Sequence, residues 1–285
     1  MQAVDVIGLL VPVTYLVMLA VESLFPARQF PARRGWKWIG IVFLVLIGTV
    51  STIVPLLLDP AWLAQHRWMD GSSLGVVGGT LVGYFVLSGV AYAYHRTAHA
   101  VPILWRLTHQ LHHSPQRVDI SGSVLFHPIE MALQTSLQLF VSVIVLGLDP
   151  LAAALTGYIA AFYGMFQHWN IRTPQWLGYF IQRPEAHCEH HRLGVHANNY
   201  GDLPIWDLLF GTFLNPKGFK GECGFESPAD RRMFAILALR DVNRTIYGKG
   251  NRGQTSQSSA KGDRSGRASG AIAMTNEHTG TGATS

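Results

Sequence analysis

The feature that most constrains this chain is a series of apolar stretches about 20 residues long, the length a helix needs to cross a bilayer. The first runs from Val6 to Phe25, interrupted by Glu22 near its end, and the second from Trp38 to Leu58, stopping at "DP". The third runs from Leu74 to Tyr94 and is rich in small residues, which let helices approach closely in lipid. The fourth runs from Ile129 to Leu148, and a shorter fifth from Leu151 to Phe166. Only "DP" at 149 and 150 separates these two, so they are expected to form a tight hairpin. Charge is scarce to match: 14% of residues are charged and 48% hydrophobic, against roughly 25% charged in soluble proteins. No basic segment precedes the first span and no small-residue cleavage site follows it, so it reads as retained in the membrane.

Basic residues in short connections set orientation. The first connection carries Arg28, Arg33, Arg34 and Lys37, whereas the second carries only Arg67 and the turn at 149 and 150 none. The segments after spans three and five carry Arg96, Arg106, Arg117, Arg172, Arg183 and Arg192. The N-terminus is therefore expected outside, with the first connection, the histidine-rich segments and the C-terminus in the cytoplasm. The expected location is a bacterial-type inner membrane or its equivalent.

The net charge of +5 comes from these loops and a basic tail, not from a basic face interleaved with stacking aromatics, so a nucleic-acid partner is excluded. Cys188 and Cys223 are too few for a disulfide framework and read as reduced thiols. From about Tyr247 the chain turns to Gly, Ser, Thr, Lys and Arg, a composition expected to be disordered.

Against this background the histidines stand out. The stretch "HRTAHAVPILWRLTHQLHHS" at 95 to 114 holds five of the thirteen in the chain. His95 and His99 are spaced i, i+4; His109, His112 and His113 are spaced i, i+3, i+4; His187, His190 and His191 repeat that spacing. On helices each set shares one face. Neutral imidazole is the commonest protein metal ligand, and one ion rarely takes more than six ligands, so eight such imidazoles imply two ions. Without metal they would crowd polar rings at a bilayer edge with few partners, which is costly. His168, in "FQHWN", emerges at the same face and is expected to join them.

At His127, in "FHPIE", two readings stay open: a ligand, or a helix-start residue at the interface. Glu130 is either a hydrogen-bond partner of a ligand imidazole or a helix N-terminal carboxylate. Asp207 could orient a ligand histidine, pair with Arg192, or act in a structural cap, while Trp206 and Phe210 could share an interfacial face. Cys188 is expected to fill space on the far side of its helix, and His66 and His278 to be incidental.

These pieces, "HRTAH", "HQLHHS", "FHPIE", "HWN", "HCEHH" and "NNYGDLPIWDLLFGT", resemble the fatty acid hydroxylase and sterol desaturase superfamily of integral membrane di-iron enzymes. The resemblance covers roughly residues 84 to 215. It implies an all-α membrane bundle of four to five transmembrane helices with a cytoplasmic histidine-rich helical cap. With the apolar stretches and the tail composition, the expected organisation is N-terminal transmembrane helices at 1–83, the histidine-box domain at 84–215, a helical extension at 216–246 and a tail at 247–285. It further implies dioxygen activation at two irons, with His95, His99, His109, His112, His113, His187, His190 and His191 as ligands and His168 joining them. Zinc could take the place of iron in a recombinant preparation. The implied substrate is a fatty acyl or alkyl chain or a sterol-like lipid, hydroxylated or desaturated in lipid biosynthesis. No cytochrome b5-like domain is fused, so electrons are expected from a separate protein. The chemistry agrees: an aliphatic C–H bond has no useful acidity, so a redox metal must carry its oxidation.

Three rival functions fit less well. A zinc hydrolase wants three ligands, an open position and a Glu base, as in HExxH, and that motif does not occur. A metal transporter would carry polar residues in mid-span rather than at span ends. A bis-histidine haem carrier needs two axial histidines per haem, not two HxxHH boxes.

Overall fold

The computed structural model describes residues 2–243. The chain divides into two units, Met1–Arg244 and Thr245–Ser285, and the second lies outside the described residues, as do the expected tail and His278. Among the described residues the protein is helical, without a sheet; an isolated bridge joins Arg192 to Cys223.

Five long helices build the bundle: α1 (Ala3–Leu24), α2 (Trp36–Leu56), α3 (Gly75–Ala100), α4 (Pro128–Leu139) and α5 (Pro150–His168). Each starts or stops where the sequence dictates. Pro26 follows the end of α1, and Pro102 follows the end of α3. His127 and Asp149 cap α4 and α5, each ahead of a proline in the first turn. Gly147, at φ 57°, makes the turn of the expected hairpin between α4 and α5. Before that turn α4 widens into a π-helical stretch, Phe140–Val145.

Four helical segments are long and apolar enough to cross a membrane: Ala3–Leu24, Trp36–Leu56, Gly71–Ala100 and Pro128–Val145. The outward faces of α1 and α2 expose Val13, Val17, Val42 and Val45, the surface that lipid tails would cover. The fifth apolar stretch is helical but falls short of a span, and its place explains why. From Leu151 to His168 no residue of α5 is exposed, and α5 packs against α1 and α3 in the middle of the bundle. A helix surrounded by protein tolerates Thr156, Tyr163 and Gln167, which lipid would not. Gly79 faces Ala152 so closely that an added Cβ would lie 3.0 Å from the alanine's own, the close approach that small residues permit.

The two ends of the bundle are sorted. At one end, Glu22 near the close of α1 accepts hydrogen bonds from the backbone of Ile120 (3.1 and 3.2 Å) and Asn170 (3.2 Å). The basic first connection joins there, through Ala27 N to Asn170 O (2.8 Å), and Trp36 Nε1 donates to Asp119 (2.9 Å). At the other end, Trp68 N meets Ile144 O (2.7 Å) and Gly71 N meets Leu146 O (2.8 Å). The basic first connection and the histidine segments therefore share one end of the bundle.

Candidate metal centre

The histidines reach the centre from four pieces of chain. His95 and His99 occupy the last turns of α3 and His168 ends α5. His109 closes a π turn, Trp105–His109, and His112 and His113 lie in the short helix Gln110–His113 that continues it. In that π turn the Gln110 N–H reaches back to Trp105 O, five residues away, a geometry frequent at functional sites. His187, His190 and His191 lie on or just after α6 (Pro184–His190). A buried Arg183 anchors the start of α6 through Asn215 Oδ1 (2.8 Å), Pro216 O (2.9 Å), Thr173 O (2.8 Å) and Glu185 (3.2 Å).

The nine histidines expected as ligands fall into two groups. His95, His99, His109, His113 and His190 form one; His112, His168, His187 and His191 form the other. Within each group the ligand nitrogens lie within 4.8 Å of one another. Each HxxHH box is split. Residues i and i+4 are only about 40° apart around a helix, while i+3 lies about 60° to the other side. So His109 and His113 join the first group and His112 the second, while His187 and His191 join the second and His190 the first. Shared faces are thus divided between two clusters.

Hydrogen bonds orient the rings. His95 Nδ1 meets Tyr200 O (2.7 Å), His190 Nδ1 meets Asn198 O (2.6 Å), His168 Nδ1 meets Gly164 O (2.9 Å) and His109 Nδ1 meets Glu130 Oε1 (2.7 Å). Carbonyl and carboxylate oxygens only accept, so each Nδ1 carries the proton and each Nε2 keeps its lone pair. Those lone pairs point into the groups. His190 Nε2 is 3.1 Å from His113 Nε2, and His187 Nε2 is 3.1 Å from His191 Nε2 and 3.3 Å from His168 Nε2. Two nitrogens bound at about 2.1 Å to one ion, at 90–110°, lie about 3.0–3.4 Å apart. Nε2 of His95, His99 and His109 is buried with no hydrogen-bond partner among the described residues, which is what a ligand nitrogen requires of its protein surroundings. The donor set therefore fits two ions. Burial, reinforced by neighbouring imidazoles, holds His112, His113, His187 and His191 well below the ordinary histidine range. Burial does the same for His190, against the pull of its Asn198 hydrogen bond. Neutral rings are the metal-binding form.

Other expected residues take definite places. Glu130 is fully buried in the first turn of α4 and binds His109, Tyr94 Oη (3.1 Å) and Gln134 Nε2 (3.3 Å), which favours the first of its two readings. His127 belongs to neither group: Nδ1 accepts from Ile129 N (3.2 Å) and Nε2 meets Leu237 O (3.3 Å), so the helix-start reading describes its position. Asp207 does not meet Arg192, which pairs with Glu189 (2.6 Å). It instead accepts from Tyr200 N (2.9 Å), Gly201 N (2.9 Å) and Thr212 Oγ1 (2.7 Å), holding the strand of chain whose Tyr200 carbonyl orients His95. Trp206, on α7 (Pro204–Leu209), donates to Ser88 Oγ (2.9 Å) and Phe210 stacks on Tyr92 (5.4 Å), so both face α3. Cys188 is buried beside Cys223, both free thiols, away from the groups. His66 stacks on Trp62 (4.1 Å) in the loop at the opposite end.

One residue escaped the sequence reading. His196 is buried, with Nδ1 3.0 Å from Nδ1 of His113. It follows the second HxxHH box as a single histidine in irregular chain, with no spacing to mark it. The segment after residue 215 is also closer to the centre than a peripheral extension would be. Gly224 N bonds to His191 O (2.9 Å) and Phe225 N to Ser114 O (3.3 Å), closing a strap over both boxes.

The chain matches the fatty acid hydroxylase family over residues 80–212. It is 32% identical over 230 residues to the ornithine lipid hydroxylase OlsE of Rhizobium tropici, covering 72% of this chain and 67% of that one. It is 32% identical over 146 residues to the alkylglycerol monooxygenase of Homo sapiens, covering 46% of this chain but only 30% of the human protein. A very-long-chain aldehyde decarbonylase of Oryza sativa subsp. indica is 27% identical over 142 residues, 47% of this chain and 54% of the rice protein. No solved structure matches. With its histidine boxes inside the matched segment and a relative aligned over most of its length, the chain belongs to the fatty acid hydroxylase family.

Proposed function

We propose that this protein is a membrane-bound di-iron oxygenase that hydroxylates a lipid, with His95, His99, His109, His113 and His190 holding one iron and His112, His168, His187 and His191 the other. The observation that carries the reading is the division of nine imidazoles into two adjacent groups with converging Nε2 atoms. Two redox irons would supply the dioxygen activation that an unreactive C–H bond demands. The chain's own residues hold the rings in one tautomer, exclude water and admit the substrate. The second group is wholly buried, whereas His95 and His99 of the first are only partly so, which makes the first the open side. Beside it, α7 exposes Ile205, Leu208 and Leu209, an apolar rim along which a lipid tail would pass.

Hydroxylation is favoured over desaturation because two of the relatives are named as a hydroxylase and a monooxygenase. The basic first connection at the histidine end supports a cytoplasmic centre, and reducing equivalents would come from a separate electron-transfer protein. The test is metal and isotope together. Protein purified in mild detergent should hold about two irons per chain and transfer label from ¹⁸O₂, not from H₂¹⁸O, into a hydroxylated lipid when a reductant is supplied. A single zinc with turnover under anaerobiosis would overturn the reading.

A further inference from the structure

Four of the nine proposed ligands present Nδ1 to an oxygen that can only accept: three carbonyls and the Glu130 carboxylate. His113 differs. Its Nε2 lies 3.1 Å from His190 Nε2 inside the first group; as a ligand through Nε2 it keeps its proton on Nδ1, and that Nδ1 meets the ring of another histidine, His196, at 3.0 Å. For His113 to donate, His196 Nδ1 must carry a lone pair. The single proton of a neutral His196 then sits on Nε2.

Everything around His196 holds that ring in place. It is 3% exposed, packs edge-on to Phe225 (5.6 Å) and lies against Trp105 (5.9 Å). Gly224, next to Phe225 in the chain, donates its N–H to His191 O (2.9 Å), a residue of the second group. The backbone at His196 has φ 43°, a left-handed conformation uncommon for side-chain residues but enriched in Asn, Asp and His.

Building on the two-iron reading, we infer that His196 is a positioning residue for the first metal group: it accepts the Nδ1–H of His113 and thereby keeps the Nε2 of His113 available as a ligand. It forms the link between the two HxxHH boxes and the strap at 222–225. Groups of this kind typically change metal affinity by about 10–100-fold when removed.

The test compares two substitutions that both tolerate the positive φ. His196→Gly removes the acceptor; His196→Asn keeps an oxygen close to where Nδ1 stood. Metal release to a chelator is followed on the iron-loaded, detergent-purified protein. His196→Gly should speed release of one of the two irons by about 10–100-fold and leave the other unchanged, with His196→Asn within about threefold of the unsubstituted protein. Two irons released from His196→Gly at unaltered rates overturn the inference, as does an Asn variant that behaves like Gly. If His196→Gly does not fold, ¹⁵N-histidine NMR of the unsubstituted protein loaded with diamagnetic zinc decides: His196 should be the Nε2–H tautomer, and an Nδ1–H tautomer overturns the proposal. Unsubstituted protein that binds one ion or none defeats the two-metal reading itself, an outcome distinct from these.

Discussion

The imidazoles of His112 and His113, adjacent in sequence, stand 5.5 Å apart at 85° to each other and belong to different histidine groups. The same box thus serves both proposed ions, and the two residues should have separable effects. His112→Ala should lower iron most at the four-histidine group and His113→Ala at the five-histidine group, each approaching one iron per chain with turnover abolished. Elemental analysis with Mössbauer spectra of the two variants checks this; identical residual spectra would contradict the split.

Glu130 is buried and holds His109 Nδ1 at 2.7 Å. Glu130→Gln keeps an oxygen that can accept but loses the charge, whereas Glu130→Ala loses both. Metal affinity should fall in the order native, Gln, Ala, by about 10–100-fold at the Ala end. Chelator competition measures it.

Asp207 accepts three hydrogen bonds within the 200–212 segment. Asp207→Ala leaves buried backbone N–H groups without their acceptor, at a cost of about 1–3 kcal/mol for each. The melting temperature should drop by several degrees, and His95 should lose order with the Tyr200 carbonyl. His66→Ala, on an exposed ring at the opposite end, should change neither stability nor metal content.

Acid should release metal and destabilise the protein together. Burial holds His112, His113, His187, His190 and His191 neutral well below the ordinary range, while the unfolded chain takes up protons near pH 6.5. The unfolded state therefore binds more protons below that pH. The stability is whole above about pH 6.5 and is lost as pH falls, and protons compete with metal in the same direction. Melting temperature and bound iron measured from pH 8 to pH 5 should decline in parallel; a rise in stability on acidification would contradict the sign.

Reporter fusions near residues 65 and 245 test the orientation. The basic-loop pattern expects external signal at the first and cytoplasmic signal at the second.

Much of this architecture was legible in the sequence because its signals are local. Apolar runs and the i, i+3, i+4 histidines are patterns within one helix, and the structure places all nine expected histidines in two groups. What escaped depends on contacts between distant segments. The interior place of α5 follows from its packing on α1 and α3, which its own composition does not declare. Arg192 finds Glu189 three residues away before Asp207, and Asp207 serves backbone groups that have no sequence signature. His196 sits in irregular chain, and its partner His113 lies far upstream.

The centre's composition also dictates an order of biogenesis. Helix α5 carries His168 and packs between α1 and α3, yet it emerges from the ribosome after all four spans. The four-histidine group has only His112 before α5 is made, and neither group is whole until α6 follows. The proposed four-histidine site would therefore have no partner for His112 until α5 and α6 follow, whereas four of the five histidines of the other group precede α5. Loading of the proposed four-histidine site would wait for a nearly finished polypeptide, and the strap from 222 to 225, arriving later still, closes over histidines that are already all present.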